Sequence, residues 1–355
     1  MAIFSKKKNV ESASTDIALK ETEGLSQSQI IRRRFFRHRG AMISMVVLIG
    51  IMLFIFSALD FKLFFIKYHG WWKYSITDQP DLRTQGCPVA LPGCPTLTLT
   101  PGKGFGLGDH PFGQDDIGRD YFALVMRGAQ RSVLVMFIIG AIGGALGTVV
   151  GAIAGFYRGK VDAILMRLVD FIITIPTIII GSVIGFHFGN LGVIYLAIFL
   201  GLFAWTGLSR LVRGEFLSLR EREFVDAARV AGASNRRIIF KHILPNAIGV
   251  IIVNVTLTMS GAILLETALS YLGFGVVAPD TSLGLLISNY QDSFTTRPWL
   301  FWYPGLFIIL IALSVNFIGD GLRDAFDPRQ RRRISKKERR SEQIGIEIKE
   351  SARHK

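Results

Sequence analysis

The stretch EFVDAARVAGASNRRIIFKHILPN, Glu223 to Asn246, lies between two long apolar runs, carries charge and is broken by one glycine. Phe224, Ala227/Ala228 and Ala231 recur at i, i+3/i+4 and i+7, the spacing of one face of a helix. Glu221, Arg222, Asp226 and Arg229 fall on the other face. Gly232 is placed to stop that helix as a left-handed residue just past its end. Ser234 can cap a second short helix that carries Ile238, Ile239 and Ile243. Pro245 fits the first turn of the next apolar run, where its missing N–H costs little. The pattern predicts an L-shaped pair of helices whose small Ala and Gly side chains let another protein approach closely. The competing reading is a plain polar connector.

Outward from this segment the chain reads as membrane-embedded. Half of its 355 residues are hydrophobic, the mean hydropathy is +0.39, and there are 27 Phe and 37 Gly. A membrane crossing takes about 20 predominantly apolar residues. Six runs meet that need: Ala41 to Leu59, Ser132 to Phe156, Leu168 to Phe188, Leu191 to Leu208, Asn246 to Ala268 and Phe301 to Gly321. Gly189-Asn190 reads as a tight turn between the third and fourth. The net charge of +14 is unevenly spread: 32 of 41 Lys/Arg fall on the two tails, on Tyr157 to Arg167 and on Ser209 to Pro245. By the positive-inside rule both termini and the opening segment are cytoplasmic, between spans four and five. Clustered on alternate loops, the basic residues point to anionic lipid rather than nucleic acid. The first apolar run starts at residue 41 and is of full spanning length, unlike a cleavable signal peptide. The expected fold is an all-α polytopic membrane protein of six helices, with an extended extracytoplasmic loop after span one. Its organisation is a tail and interfacial helix over 1–40, span one over 41–61 and the loop over 62–131. A helical core over 132–322, with the connector at 221–245, and a basic tail over 323–355 follow.

Residues 1 to about 25 are polar, which predicts disorder, and SQIIRRRFFRHRGA then reads as a basic interfacial helix. The charged tail after Asp327-Pro328 is read as mobile. The loop holds both cysteines, Cys87 and Cys94, in CPVALPGC. On the outer side oxidation is permitted, so a disulfide is favoured over two free thiols, and two Cys make a poor metal site. A short strand is expected at PTLTLT. Asp115 or Asp116 can cap a short helix before span two. In span two Gly143, Gly147, Gly151 and Gly155 recur every four residues, one stripe on which another backbone can pack closely. Pro176 should kink span three.

Catalytic chemistry is not visible. No Gly-x-x-x-x-Gly-Lys-Ser/Thr phosphate loop occurs; PGKGFGLGDH is a glycine loop with no helix behind it. His110, His187 and His242 lack metal-ligand spacing, and no Gly-x-Ser-x-Gly elbow is present. Charge inside the spans is sparse, which disfavours an ion-coupled carrier. Asp162, Arg167 and Asp170 read as paired at the entrance of span three, and Asp320, Arg323 and Asp324 as a network at the end of span six. Glu266, near the outer end of span five, reads as either a solvated helix end or a functional carboxyl.

The opening segment resembles the EAA loop of ABC importer permeases. It has Asp226 for the Glu, keeps Ala227, Ala228, Gly232, Leu244 and Pro245, and has His242 where the general pattern has Ile. HILPN is similar to the peptide-importing branch. So are HPFGQDDIGRD (His110 to Asp120), DAILMRLVDFIITIP (Asp162 to Pro176), LLETALSYLGFG (Leu264 to Gly275) and GDGLRDAFDPR (Gly319 to Arg329). Together they cover about 30 to 329 in order and resemble the C-type permease of the dipeptide/oligopeptide (peptide/nickel) family. The long loop with its two Cys departs from that family's shorter one. The resemblance implies a bacterial inner-membrane subunit without catalytic residues or cofactors of its own. It implies a second homologous permease, two ATP-binding cassette subunits that hold ATP and Mg, and an extracytoplasmic substrate-binding protein. ATPase coupling would fall on Glu223, Asp226, Ala227, Ala228, Gly232, Ala233, Ser234, Arg237, Leu244 and Pro245. The rival readings are the same architecture importing another solute such as a nickel chelate, a channel or secondary transporter, and a membrane-embedded enzyme.

Overall fold

A computed structural model of the chain describes residues 27–63, 66–88, 91–100, 104–106 and 108–326. The expectations for residues 1 to about 25 and for the tail after Asp327-Pro328 fall outside the described residues, as does Lys103.

The chain begins with α1 (Gln27–Arg37) and α2 (Arg39–Ala58). His38 separates them, and its Nδ1 accepts a hydrogen bond from Ala41 N at 3.1 Å, capping α2. The loop holds two short hairpins, β1 (Phe61–Leu63) with β2 (Ile66–Tyr68) and β3 (Thr98–Thr100) with β4 (Gly104–Gly106). They qualify the all-α expectation; the strand expected at PTLTLT is β3. Helix α3 (Tyr121–Tyr157) then runs for 37 residues, about 55 Å at 1.5 Å per residue. It starts without a preceding short helix. Asp120 caps it, accepting from Ala123 N at 2.9 Å. Of the two caps the sequence offered, Asp115 instead closes the turn before it, accepting from Ile117 N and Arg119 N, and Asp116 pairs with Arg297.

Among the described residues five helical stretches are long and apolar enough to cross a membrane: Arg39–Ala58, Tyr121–Tyr157, Val193–Arg220, Asn235–Tyr271 and Trp299–Phe326. The sixth candidate is broken. Helix α4 (Gly159–Ile173) and α5 (Thr177–Phe188) meet at 79°. Pro176 has no N–H to give and disfavours helix in the residue before it, so the chain breaks there and resumes. At 79° the two halves cannot both follow the membrane normal. A turn at Gly189–Leu191 leads to α6 (Val193–Gly201), and a second turn leads to α7 (Thr206–Arg220). The connector is α8 (Glu223–Val230) and α9 (Asn235–Arg237); α10 (Leu244–Tyr271), α11 (Leu283–Tyr290) and α12 (Trp299–Phe326) complete the chain.

Gly143, Gly147, Gly151 and Gly155 all face the chain that leads into and forms α7. A Cβ on Gly147 would come within 2.9 Å of the Trp205 carbonyl oxygen, and one on Gly151 within 2.5 Å of the Ser209 carbonyl oxygen. Without side chains the two backbones come into direct contact. Two ion pairs tie α4 to the same helix, Asp162–Arg213 and Asp170–Arg210. Arg167 is not in either pair. At the end of α12, His38 Nε2 and Asp324 lie 3.4 Å apart.

Among the described residues the apolar core falls into three groups. One, around Tyr121, Phe122, Met126 and Leu300, lies under the loop; one holds α6 against α3 and α10; the third lies at the opposite end of α3, beneath the connector.

Candidate functional site

The connector is built as a rigid corner. Helix α8 ends at Val230, Ala231 caps it, and Gly232 follows with φ +77°. Ala233 N donates to the Ala228 carbonyl at 3.0 Å and Gly232 N to the Arg229 carbonyl at 2.9 Å, the paired bonds of a Schellman turn. Ser234 Oγ accepts from Arg237 N at 3.4 Å and starts α9. The second arm is not a separate short helix. A π-helical turn, Ile238–Ile243, joins α9 to α10, and Asn235–Tyr271 runs as one 37-residue unit. Pro245 sits in the first turn of α10.

Apolar burial fixes this corner. Val225, Ile238 and Ile243 are fully buried, and Ile239 nearly so, against Ala152 and Phe156 of α3 and Leu208, Val212 and Phe216 of α7. Each such side chain contributes roughly 1.5–3 kcal/mol. The exposed Asp226–Arg229 pair, 2.9 Å long and one helical turn apart, adds only about 0.2–0.5 kcal/mol. Arg158 pairs with Glu221 at 2.7 Å, and Arg220 donates to the Phe156 carbonyl.

The face read off the periodicity is largely open, and a neighbouring residue packs inward. Val225 is buried and Ala228 half-buried, while Phe224, Ala227 and Ala231 are exposed. Of the other coupling candidates, Ala233 and Leu244 are half-buried. Glu223, Asp226, Gly232, Ser234, Arg237 and Pro245 are exposed, and nothing lies within 4 Å of a Cβ built on Gly232. Two residues of the connector that the pattern missed are also exposed: Val230 at 91% and Phe240 at 59%. The available signal was an apolar residue at the end of an otherwise charged face.

At the other end of α3 the loop is pinned by HPFGQDDIGRD. Asp120, fully buried, accepts from Trp72 Nε1 at 2.7 Å and from His110 Nδ1 at 2.8 Å. Asp115, also buried, holds Arg119 at 2.6 Å and the Tyr290 hydroxyl at 2.9 Å. Burial and the neighbouring Asp115 carboxylate push the Tyr290 phenol well above its ordinary value, so it stays a neutral donor. Cys87 and Cys94 form a disulfide with Cα atoms 5.7 Å apart. Among the described residues no His/Cys/Asp/Glu group is arranged to hold a metal. Glu266 is no solvated helix end: it is completely buried among serines.

These features are those of an integral transport component. Residues 147–332 match the family described as "Binding-protein-dependent transport system inner membrane component", and residues 26–69 match "N-terminal TM domain of oligopeptide transport permease C". The chain belongs to this inner-membrane permease family; its place is the membrane and its role is transport rather than catalysis. Among its relatives is the "Oligopeptide transport system permease protein OppC" of Haemophilus influenzae, 37% identical over 91% of this chain and 95% of that one. The protein of the same name from Escherichia coli (strain K12) is 35% identical over 92% of this chain and 99% of that one. A solved structure of the MetNI methionine ABC transporter in inward facing conformations matches at 20% identity and a TM-score of 0.47, over 58% of this chain and 97% of that one.

Proposed function

We propose that this chain is the translocating subunit of an ATP-driven importer of oligopeptides, and that α8 and its glycine corner are where the ATPase subunits dock. The observation that carries this is the connector itself. It is anchored by a buried apolar face to α3, α7 and α10, yet holds Phe224, Val230 and Phe240 out in the open. Exposed apolar side chains among charged ones on a braced corner are what a partner's groove accepts. Glu223, Asp226, Ala227, Gly232, Ser234 and Arg237 line that surface; Ala228, Ala233, Leu244 and Pro245 set its angle. A push there reaches the membrane helices without a flexible joint.

In this reading the connector end and both termini are cytoplasmic and the disulfide loop is extracytoplasmic. Two ATP-binding cassette subunits carry ATP and Mg, a second homologous permease completes the pathway, and a binding protein delivers the peptide. Oligopeptides as substrate follow the names of the relatives at 35–37% identity. The basic segments face anionic lipid and not nucleic acid.

The test is capture of the full chain from membranes in mild detergent, with co-purifying proteins identified. Wild type should bring down ATPase subunits and a second permease. Val230→Asp should lose the ATPases and keep the permease, because a residue this exposed changes the surface and not the fold. Gly232→Glu should do the same, with some added strain, since φ +77° suits glycine. Undiminished ATPase capture by Val230→Asp would refute the docking assignment.

A further inference from the structure

At the end of the bundle opposite the connector, Glu266 sits at the centre of a buried polar cluster. Its Oε2 accepts from Ser132 Oγ of α3 at 2.9 Å, and its Oε1 from Ser270 Oγ of α10 at 2.7 Å. Ser132 Oγ accepts from Leu283 N, the first residue of α11, at 3.2 Å. Ser270 Oγ accepts from Val276 N at 3.2 Å and from Ser282 Oγ at 3.3 Å. Ser282 Oγ caps α11 by accepting from Leu285 N at 3.1 Å. Glu266, Ser132 and Ser282 have no exposed surface, and Ser270 has 1%. Beside the cluster Arg131 and Asp280 pair at 3.0 Å. Close backbone contact reinforces it: a Cβ on Gly284 would lie 2.6 Å from Thr267 Cα, and one on Gly128 3.0 Å from the Ser282 carbonyl carbon.

A carboxyl in an apolar surround is costly unless every oxygen is used. Here it is retained, and the network it centres joins three elements: Ser132 and Ser270 bond it directly, and Leu283 N and Ser282 Oγ bond those serines in turn. Two of them, α3 and α10, are the long helices that also anchor the connector, through Ala152 and Phe156 and through Ala247 and Ile251. The third, α11, is a short helix tucked against both and against α12.

We propose that Glu266 is a positioning residue, a latch that binds α11 and the turn before it to α3 and α10. With the latch made, α11 follows the movement of the two long helices; with it broken, α11 swings independently. That this movement starts at the connector rests on the proposed coupling to an ATPase; the latch itself does not.

Thiol labelling tests it directly. Cys87 and Cys94, the chain's two cysteines, are bonded to each other, so an introduced cysteine is the one free thiol. In full-length protein in native membranes, Leu286→Cys places a thiol on the buried face of α11, where Leu286 is 2% exposed. Ile239→Cys places a second reporter in the connector core. In the parent both should resist N-ethylmaleimide. Adding Glu266→Leu strands the serine hydroxyls and should speed labelling at 286 by about tenfold or more, with position 239 still protected. Glu266→Gln keeps an accepting oxygen and, with one serine hydroxyl turned, most contacts; labelling should stay within about threefold of the parent. Equal protection of position 286 in Glu266→Leu and parent would overturn the latch. If both reporters react in Glu266→Leu, Ser132→Ala decides by the same rule: selective labelling at 286 supports the latch, and equal protection or equal exposure of both sites overturns it. ATPase capture is measured alongside, so loss of coupling and loss of the latch are read separately.

Discussion

Asp120 does the work of several residues. It caps α3, holds Trp72 of the loop and fixes His110, all from a site with no solvent contact. Truncating it leaves a helix N–H, an indole N–H and an imidazole without their acceptor, at a combined cost of roughly 3 kcal/mol or more. Asp120→Ala should therefore sharply increase protease cleavage within residues 60–118 while the connector end stays resistant. A cleavage pattern like that of the parent would show that the disulfide and the aromatic packing hold the loop without it. The residue's importance was not visible in HPFGQDDIGRD, where three aspartates compete for the cap and only the path of the loop selects one. Glu266 posed the same difficulty. A lone carboxyl in an apolar run is plain to see, but its partner Ser132 is 134 positions away, so periodicity could not separate a wet helix end from a buried cluster.

Among the elements, those whose geometry lies in the backbone were legible. Glycine every fourth residue is itself a packing face, and proline in an apolar run is itself a break; α3 against α7 and the bend between α4 and α5 follow directly. Replacing Gly151 by Val would drive a branched side chain into the Ser209 carbonyl and Val212. It should lower the stability of the purified protein by at least about 1–3 kcal/mol, read as a fall in the midpoint of thermal aggregation, whereas Gly207→Ala, with open space around its Cβ, should not. Equal midpoints would mean that α3 and α7 separate without cost. Less legible was α8. Phe224 and Val225 are adjacent and both apolar, so which one faces inward depends on where the preceding helix delivers the chain, a tertiary matter. The short α11 was missed altogether, since eight residues of mixed character between two spans carry no decisive period.

For the whole molecule, the uneven charge and the apolar runs pointed to a multi-pass chain with its connector and its loop on opposite sides. The proposed sidedness can be checked with cysteines at two exposed positions, since the native pair is already bonded. In intact cells an impermeant maleimide should label Gln79→Cys in the loop and leave Arg236→Cys in the connector untouched until the membrane is permeabilised. The reverse pattern would invert the proposed orientation and remove the connector from reach of any ATPase. The loop's internal arrangement, by contrast, rests on hairpins, a disulfide and side-chain bonds to α3, none of which has a period to detect.

The Cys87–Cys94 bond also bears on how the chain is made. The two thiols emerge during synthesis shortly after span one and before α3, and a disulfide persists only in a compartment that does not keep thiols reduced. If the loop is extracytoplasmic, as proposed, a chain whose first span enters the wrong way round leaves both thiols in a reducing compartment and its ring open. In that case the closed ring is a lasting record that the first crossing was made in the right direction.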